Sequence, residues 1–479
     1  MESFKEIGYF WQPEYPEKQI AGELVYDPDT GGTIEIFGDF DDLEKTGQTG
    51  DRITILGLSQ SGKNYSLFKC LKISSSINIP GIPSATYKVH VILKGGLFLD
   101  LDAVRFDSFC IYFTNLDDWL GHEILFYTIE NNVESSIYRY SVEYKPETIP
   151  EYYIPGIGSL NFLYEHKVKV EPVPVIHKFS AETEFFVKFI PENPVGVHEM
   201  NTRYSADFCN FLTLAIQKPS YPYKFVGYIK PDPDSEENSD TIQIDIYQRI
   251  RSFNQENKRI HPSELLFSYR KISSNFPKYY GNWISFCHRV KPCIDLYFSI
   301  HYRKPLHLED SFQKVIQALE VYHRRSTEFS GEFCTEEEFK TIYKNLLNQI
   351  PVDISQDFKA SMENKLSYFD QYSLQRRIKE LLRDCVDKHG SVIIEIFGKP
   401  PEWAKKVADR RDFFIHREED QETEDLQLYI WMLQGSLLLN LMFYREIGFD
   451  EESIHKMIIH SRYFEKIQLN QGLKNSHET

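Results

Sequence analysis

The hydrophobic period of this chain changes near residue 306, and that change limits the folds open to it. Before it, apolar and β-branched residues come in short runs separated by Gly, Pro, Asp and Asn clusters. Such runs occupy residues 33–37, 52–58, 65–73, 87–93, 104–113 and 123–129, with further candidates at 138–144, 167–171 and 183–189. Many short strands at close spacing predict an antiparallel sandwich or barrel. Within this part, Phe208, Phe211, Leu212 and Ala215 fall at helical spacing and predict one helix over 205–216.

After residue 306 the period becomes helical. Leu308, Phe312, Val315, Ile316, Leu319 and Tyr322 share a face, as do Phe339, Ile342, Tyr343, Leu346, Leu347 and Ile350. A third helix begins at Ser373 with Leu374, Ile378, Leu381 and Leu382 on its face. Pro400–Pro401 suits the first turn of a fourth, and a last long helix starts near Glu424. The prediction is an α+β multidomain chain. A β-rich region covers 1–225, a mixed extension with a strand at 241–247 covers 226–304, and an all-α helical bundle of about five helices covers 305–479.

Composition narrows the function classes. The 479 residues carry 54 Lys and Arg against 71 Asp and Glu, a formal charge of −17, and 15% are aromatic. A chain so rich in Phe and Tyr can bury a large core, which excludes global disorder. The charge excludes a generally basic nucleic-acid coat, so nucleic acid would have to meet a local basic patch. Such a patch exists: residues 375–417 hold 11 Lys or Arg against 7 Asp or Glu. The start of the chain lacks the apolar run of a secretory signal. The greasiest stretch, 427–444, contains Gln427, Gln434, Ser436 and Asn440, so it is expected as a buried or dimer-face helix and not as a membrane span. Seven scattered cysteines predict a reducing cytoplasm without disulfides.

Four patterns are candidates for chemistry. Gly57 to Asn64 (GLSQSGKN) nearly matches a phosphate-binding loop. However, Asn64 replaces the hydroxyl residue and a strand-like segment follows where a helix is needed. Gln60 to Lys63 therefore reads as a hairpin turn. Asp100 and Asp102 would share a strand face, but a metal needs further ligands, and a solvated strand end is the simpler reading. Cys287, His288 and Cys293 cluster without the further ligands of a structural zinc, so no metal or cofactor is expected. The acidic run 232–240 reads as a solvated loop.

The fourth pattern is Arg411-Asp412-Phe413-Phe414-Ile415-His416. On an unbroken helix Arg411 and His416 lie about 140° apart. They would converge only at a helix junction or by pairing with the same motif of a second protomer. By spacing alone, which occurs often by chance, an ordinary surface Arg and His on an amphipathic helix are the better reading.

The helical region resembles a HEPN domain (higher eukaryotes and prokaryotes nucleotide-binding), and more narrowly the ApeA type of bacterial anti-phage HEPN proteins. The residues that carry the likeness are, in order, 315–325 (VIQALEVYHRR), 373–382 (SLQRRIKELL) and 407–417 (VADRRDFFIHR). The long β-rich region with late Trp283 resembles that family's N-terminal domain.

The resemblance implies a metal-independent endoribonuclease. His416 would exchange the proton of a ribose 2′-OH or of the leaving 5′ oxygen. Arg411 would meet the charge growing on the phosphate, and Asp412 would orient one of them. Arg410, Arg417, Arg376 and Arg377 would position RNA, tRNA being one plausible target. The resemblance further implies a homodimer or higher homo-oligomer through the HEPN domain, with 427–444 a candidate part of the interface. It also implies phage defence by abortive infection, and an N-terminal region that senses a phage-derived trigger. Glu320 and His323 stand on the first helix without an assigned role. The acidic run 418–425 would screen the site until displaced. The alternative function is a non-catalytic HEPN module that binds a nucleotide or a protein.

Overall fold

A computed structural model describes residues 2–40, 52–76, 81–132, 137–145, 147–170, 179–230, 241–250, 259–302, 307–351, 353–416 and 425–477. The acidic run 232–240 lies outside the described residues, as does 418–425 apart from Asp425. By its contacts the chain divides into two units, Met1–Gly281 and Asn282–Thr479.

The first unit is built on antiparallel strands. The first ten are β1 (Phe4–Trp11), β2 (Ile20–Asp27), β3 (Gly31–Ile36), β4 (Ile53–Ser59), β5 (Asn64–Ser76), β6 (Ser84–Val89), β7 (Val91–Lys94), β8 (Ser108–Phe113), β9 (Leu125–Asn132) and β10 (Ile137–Tyr144). Then come β11 (Tyr152–Ile154), β12 (Gly158–Val170), β13 (Phe179–Ile190), β14 (Pro222–Ile229) and β15 (Ile242–Gln248). β9 and β10 form a separate hairpin, and the other thirteen make one sheet. Its β5-β4-β1-β2-β3-β6 part closes on itself because β5 also pairs with β6. Closure removes the edges that an open six-stranded sheet would expose. The barrel is filled by Phe10, Leu24, Tyr26, Ile34, Tyr65, Leu67 and Tyr87.

The phosphate-loop lookalike is the β4–β5 turn. Leu58 faces Asn64 across it, and the Gly62 N–H donates to the Ser59 carbonyl at 2.9 Å. Gly62 sits at φ +75°, where glycine is favoured. A Cβ on Gly57 would lie 2.4 Å from the Phe10 ring. Both glycines thus have structural reasons to be there.

The open side of the sheet packs on helices. These are α1 (Leu116–Leu120) and a helix that begins as α2 (Val197–Glu199), passes a π-helical turn at Met200–Ser205 and continues as α3 (Ala206–Ile216). Phe109 and Phe189 of the sheet meet Tyr204 edge-on at 5.1 and 5.3 Å, and Trp119 meets Phe208 and Phe211. Each such ring, fully buried, contributes roughly 1.5–3 kcal/mol. Asp100 and Asp102 lie in a turn rather than on a strand, and the Asp102 N–H donates to Asp100 Oδ1 at 3.0 Å. A short helix, α4 (Tyr269–Ile272), precedes α5 (Phe276–Arg289), within which the division between the units falls.

The second unit is helical. It contains α6 (Lys291–Tyr302), α7 (Leu308–Arg325), α8 (Glu336–Leu347), α9 (Gln356–Leu366), α10 (Leu374–His389) and α11 (Ser391–Phe397). α12 (Pro400–His416), α13 (Asp425–Ile447), α14 (Glu451–Ile459) and α15 (Arg462–His477) follow. α6 packs on α7, so this unit starts earlier in the chain than the change of period at residue 306.

α13 is the central helix, packed on α7, α14 and α15. It is long and apolar enough to cross a membrane, yet 72% of its most apolar window is buried inside the fold. Its polar residues are satisfied internally. Gln434 accepts from Trp403 Nε1 at 2.6 Å and donates to the Ile396 carbonyl at 2.5 Å, while Asn440 accepts from the Tyr297 hydroxyl at 2.6 Å. Leu433–Tyr444 are all buried within one unit and form core, while Gln427, Tyr429, Trp431 and Met432 are half-buried. By contrast, no residue of α8 is buried, although its apolar face was legible.

Candidate functional site

α12 carries the Arg-x4-His pattern. Gly398, at φ +64°, ends α11, and Pro400 and Pro401 open α12 without needing the N–H groups that a first turn leaves over. Trp403, Ala404, Val407 and Ala408 form its buried face. Arg411 follows Ala404 by seven residues, two helical turns, and so continues that face toward α7. Its side chain is 25% exposed.

On α7 it meets Glu320. Arg411 Nη2 lies 3.6 Å from Glu320 Oε2, and Arg411 Nη1 donates to Asp412 Oδ1 at 3.1 Å. Glu320 also accepts from Arg324 at 3.2 Å (Nε) and 3.0 Å (Nη2). Arg324 in turn donates to Gln371 Oε1 at 2.8 Å. One carboxylate, 17% exposed, therefore sits between two guanidinium groups. Asp412, expected to orient a partner, is bonded to Arg411.

α12 is unbroken through His416, its last residue. Arg411 and His416 are about 7.5 Å apart along the axis and about 140° around it, so no junction brings them together on this helix. The His416 side chain and all of Arg417 lie outside the described residues.

The remaining basic candidates divide. The Arg410 guanidinium packs over the rings of Phe413 and Phe414, 4.5 Å from each centroid. Burial lowers its pKa, with Glu309 opposing. Arg376 is exposed and stacked on Tyr372 and Phe333 at 4.1 and 4.7 Å, a planar cation held flat on aromatic faces. Arg377 is 3% exposed. It donates to the Tyr372 carbonyl at 3.0 Å, to the Gly331 carbonyl at 3.1 Å and to His323 Nδ1 at 3.1 Å. Those bonds point its guanidinium inward, away from any phosphate, so its role is structural and not RNA positioning.

His323, with no exposed surface, completes that network. Since Arg377 only donates, His323 Nδ1 accepts and its Nε2–H donates to Glu380 at 2.9 Å. Burial, helped by the Arg377 charge, lowers its pKa and keeps the ring neutral, against the pull of Glu380. The Glu320 and His323 roles were invisible in sequence because both depend on α10 and α12 crossing α7. The only signal was their spacing on one helix.

Two families match. ApeA N-terminal domain 1 matches residues 5–283, and the ApeA-like HEPN domain matches residues 314–453, which hold Glu320, Arg376, Arg411 and His416. No curated protein and no solved structure gives a match. With the first match covering more than half of its length and the second enclosing the Arg-x4-His helix, the chain belongs to the ApeA-type HEPN family of anti-phage proteins.

Proposed function

We propose that this protein is a metal-independent endoribonuclease that acts in abortive infection. HEPN domains are generally ribonuclease modules. The observation that carries the reading is Arg411, held by Glu320 and Asp412 on the helix that ends in His416. A guanidinium fixed in direction can meet the charge that develops on a phosphorane. The imidazole of His416 can take the 2′-OH proton and return it to the leaving 5′ oxygen. The bond from the 2′ oxygen to phosphorus forms as the bond to the 5′ oxygen breaks, leaving a 2′,3′-cyclic phosphate. DNA, without the 2′-OH, is not cut.

The 140° separation on a continuous helix supports a site completed by the motif of a second copy, so the working form is a homodimer or higher homo-oligomer. Arg410, Arg417 and Arg376 position the RNA, tRNA among the candidates. The N-terminal region responds to a phage-derived trigger in the cytoplasm. Purified full-length protein incubated with RNA in EDTA tests this reading. The expected result is fragments ending in 2′,3′-cyclic phosphate, and intact RNA at every protein concentration would overturn it.

A further inference from the structure

A cleft of about 400 Å³ opens beside the first turns of α12, between α11, α13 and α15. Its volume falls in the range of roughly 300–1,000 Å³ usual for small-molecule sites. Trp431 of α13 forms one wall, half-buried. Lys399 and Lys406 bring ammonium groups, and Glu395 and Glu402 bring carboxylates. Lys399 is paired with Glu402 at 3.0 Å. Lys406 is exposed and forms no ion pair among the described residues. An aromatic wall, a carboxylate acceptor and an available cation together suit a ligand with a flat ring, amino donors and a negative charge. A nucleobase bearing an amino group, with its phosphate, has all three.

The cleft is physically joined to the Arg411 helix. The Trp431 ring lies 6.4 Å from Phe312, and Phe312 lies 6.1 Å from Phe414. Phe414 carries the Arg410 guanidinium on its face. Around α12, Lys406 and Arg410 are only about 40° apart, so the two cations lie along one stripe. Lys406 precedes Arg411 by five residues, about 7.5 Å of rise and about 140° around α12, so a strand gripped at Lys406 follows the Lys406–Arg410 stripe and winds around the helix to reach Arg411.

We infer that the cleft walled by Trp431 and Lys406 is a nucleotide subsite that holds one unstacked, amino-bearing base of the RNA near the scissile position. This rests on the ribonuclease reading above and adds where the strand is gripped. A free mononucleotide offers the same chemistry, so the test separates the two sources.

The test uses full-length His416→Ala protein and fluorescently labelled RNA hexamers, one of cytidines and one of uridines, read by anisotropy. Lys406→Glu should weaken cytidine-hexamer binding about tenfold or more. Lys405→Glu, an equal charge change on the adjacent exposed residue, should change it less than about twofold, and the uridine hexamer should bind more weakly than the cytidine one. Equal losses from the two substitutions would reduce the effect to surface charge and overturn the subsite, as would no loss from Lys406→Glu. Cytidine monophosphate binding as tightly as the hexamer would assign the cleft to a free nucleotide and overturn the RNA subsite. Failure of the ribonuclease reading shows separately, as uncut RNA with wild-type protein.

Discussion

Glu320 on α7 holds Arg411 on α12, with Glu320 Oε2 3.6 Å from Arg411 Nη2 while the same carboxylate accepts two hydrogen bonds from Arg324. The Arg411 guanidinium is thereby drawn electrostatically toward a carboxylate outside its own helix. Glu320→Gln keeps the size and one acceptor but removes the charge. The expected result is a fall in kcat for RNA cleavage of about tenfold, the scale of a lost charge-assisted contact of about 1.4 kcal/mol. KM should change little and thermal stability should shift by no more than a few degrees. Single-turnover cleavage beside a thermal melt checks this.

Neighbouring arginines should separate by phenotype. Arg377 is buried in hydrogen bonds to Tyr372, Gly331 and His323, so Arg377→Ala should destabilise the helical unit by roughly 3 kcal/mol, leaving the Tyr372 and Gly331 carbonyls and His323 Nδ1 without that donor. Arg376→Ala should leave the melting temperature near wild type and weaken RNA binding, with a shallower dependence on salt. Denaturant unfolding and salt-dependent binding of both variants distinguish them.

Gly331 makes the same point from the backbone. It lies at φ +73°, and an added Cβ would sit 2.6 Å from Arg377 Nη1. Gly331→Ala should therefore destabilise by roughly 1–3 kcal/mol, from backbone strain plus displacement of the guanidinium. Gly472→Ala, where nothing lies within 4 Å of the added Cβ, is the control and should be neutral or better in the same unfolding measurement.

Acid should weaken the helical unit through His301. Burial, with Lys466 adding to it, lowers its pKa to about 4. The fold thus favours the neutral ring. Its contribution is complete above the unfolded value near 6.5 and is lost as pH falls from 6.5 toward 4, by about 3 kcal/mol in all. Denaturant midpoints measured from pH 7 to pH 4 should fall, and His301→Asn should flatten that slope.

The strands with strong alternation and the helix faces of α7 and α10 were legible in the sequence because burial follows their period, while for α12 only its start at Pro400–Pro401 was. β1 and β2 were not, since their runs are broken by Lys5, Glu6, Gly8 and Gly22, and their pairing is fixed only by closure of the barrel. α8 shows the opposite limit: its apolar stripe predicts a face, but periodicity does not say whether another element covers it. Arg376 and Arg377 look alike in sequence, yet one step of 100° on α10 sends the first to solvent and the second into the core. The motif on α12 was legible as a pattern. The carboxylate that holds it stands 91 residues earlier and needed the packing of α12 on α7.

The most direct test of the central claim is sequencing of cellular RNA ends after induced expression of wild-type, Arg411→Ala and His416→Ala proteins, all three confirmed as folded and equally abundant. The account predicts new 2′,3′-cyclic phosphate ends, together with protection against phage, in wild type alone. Equal RNA cleavage and equal protection in all three would contradict it.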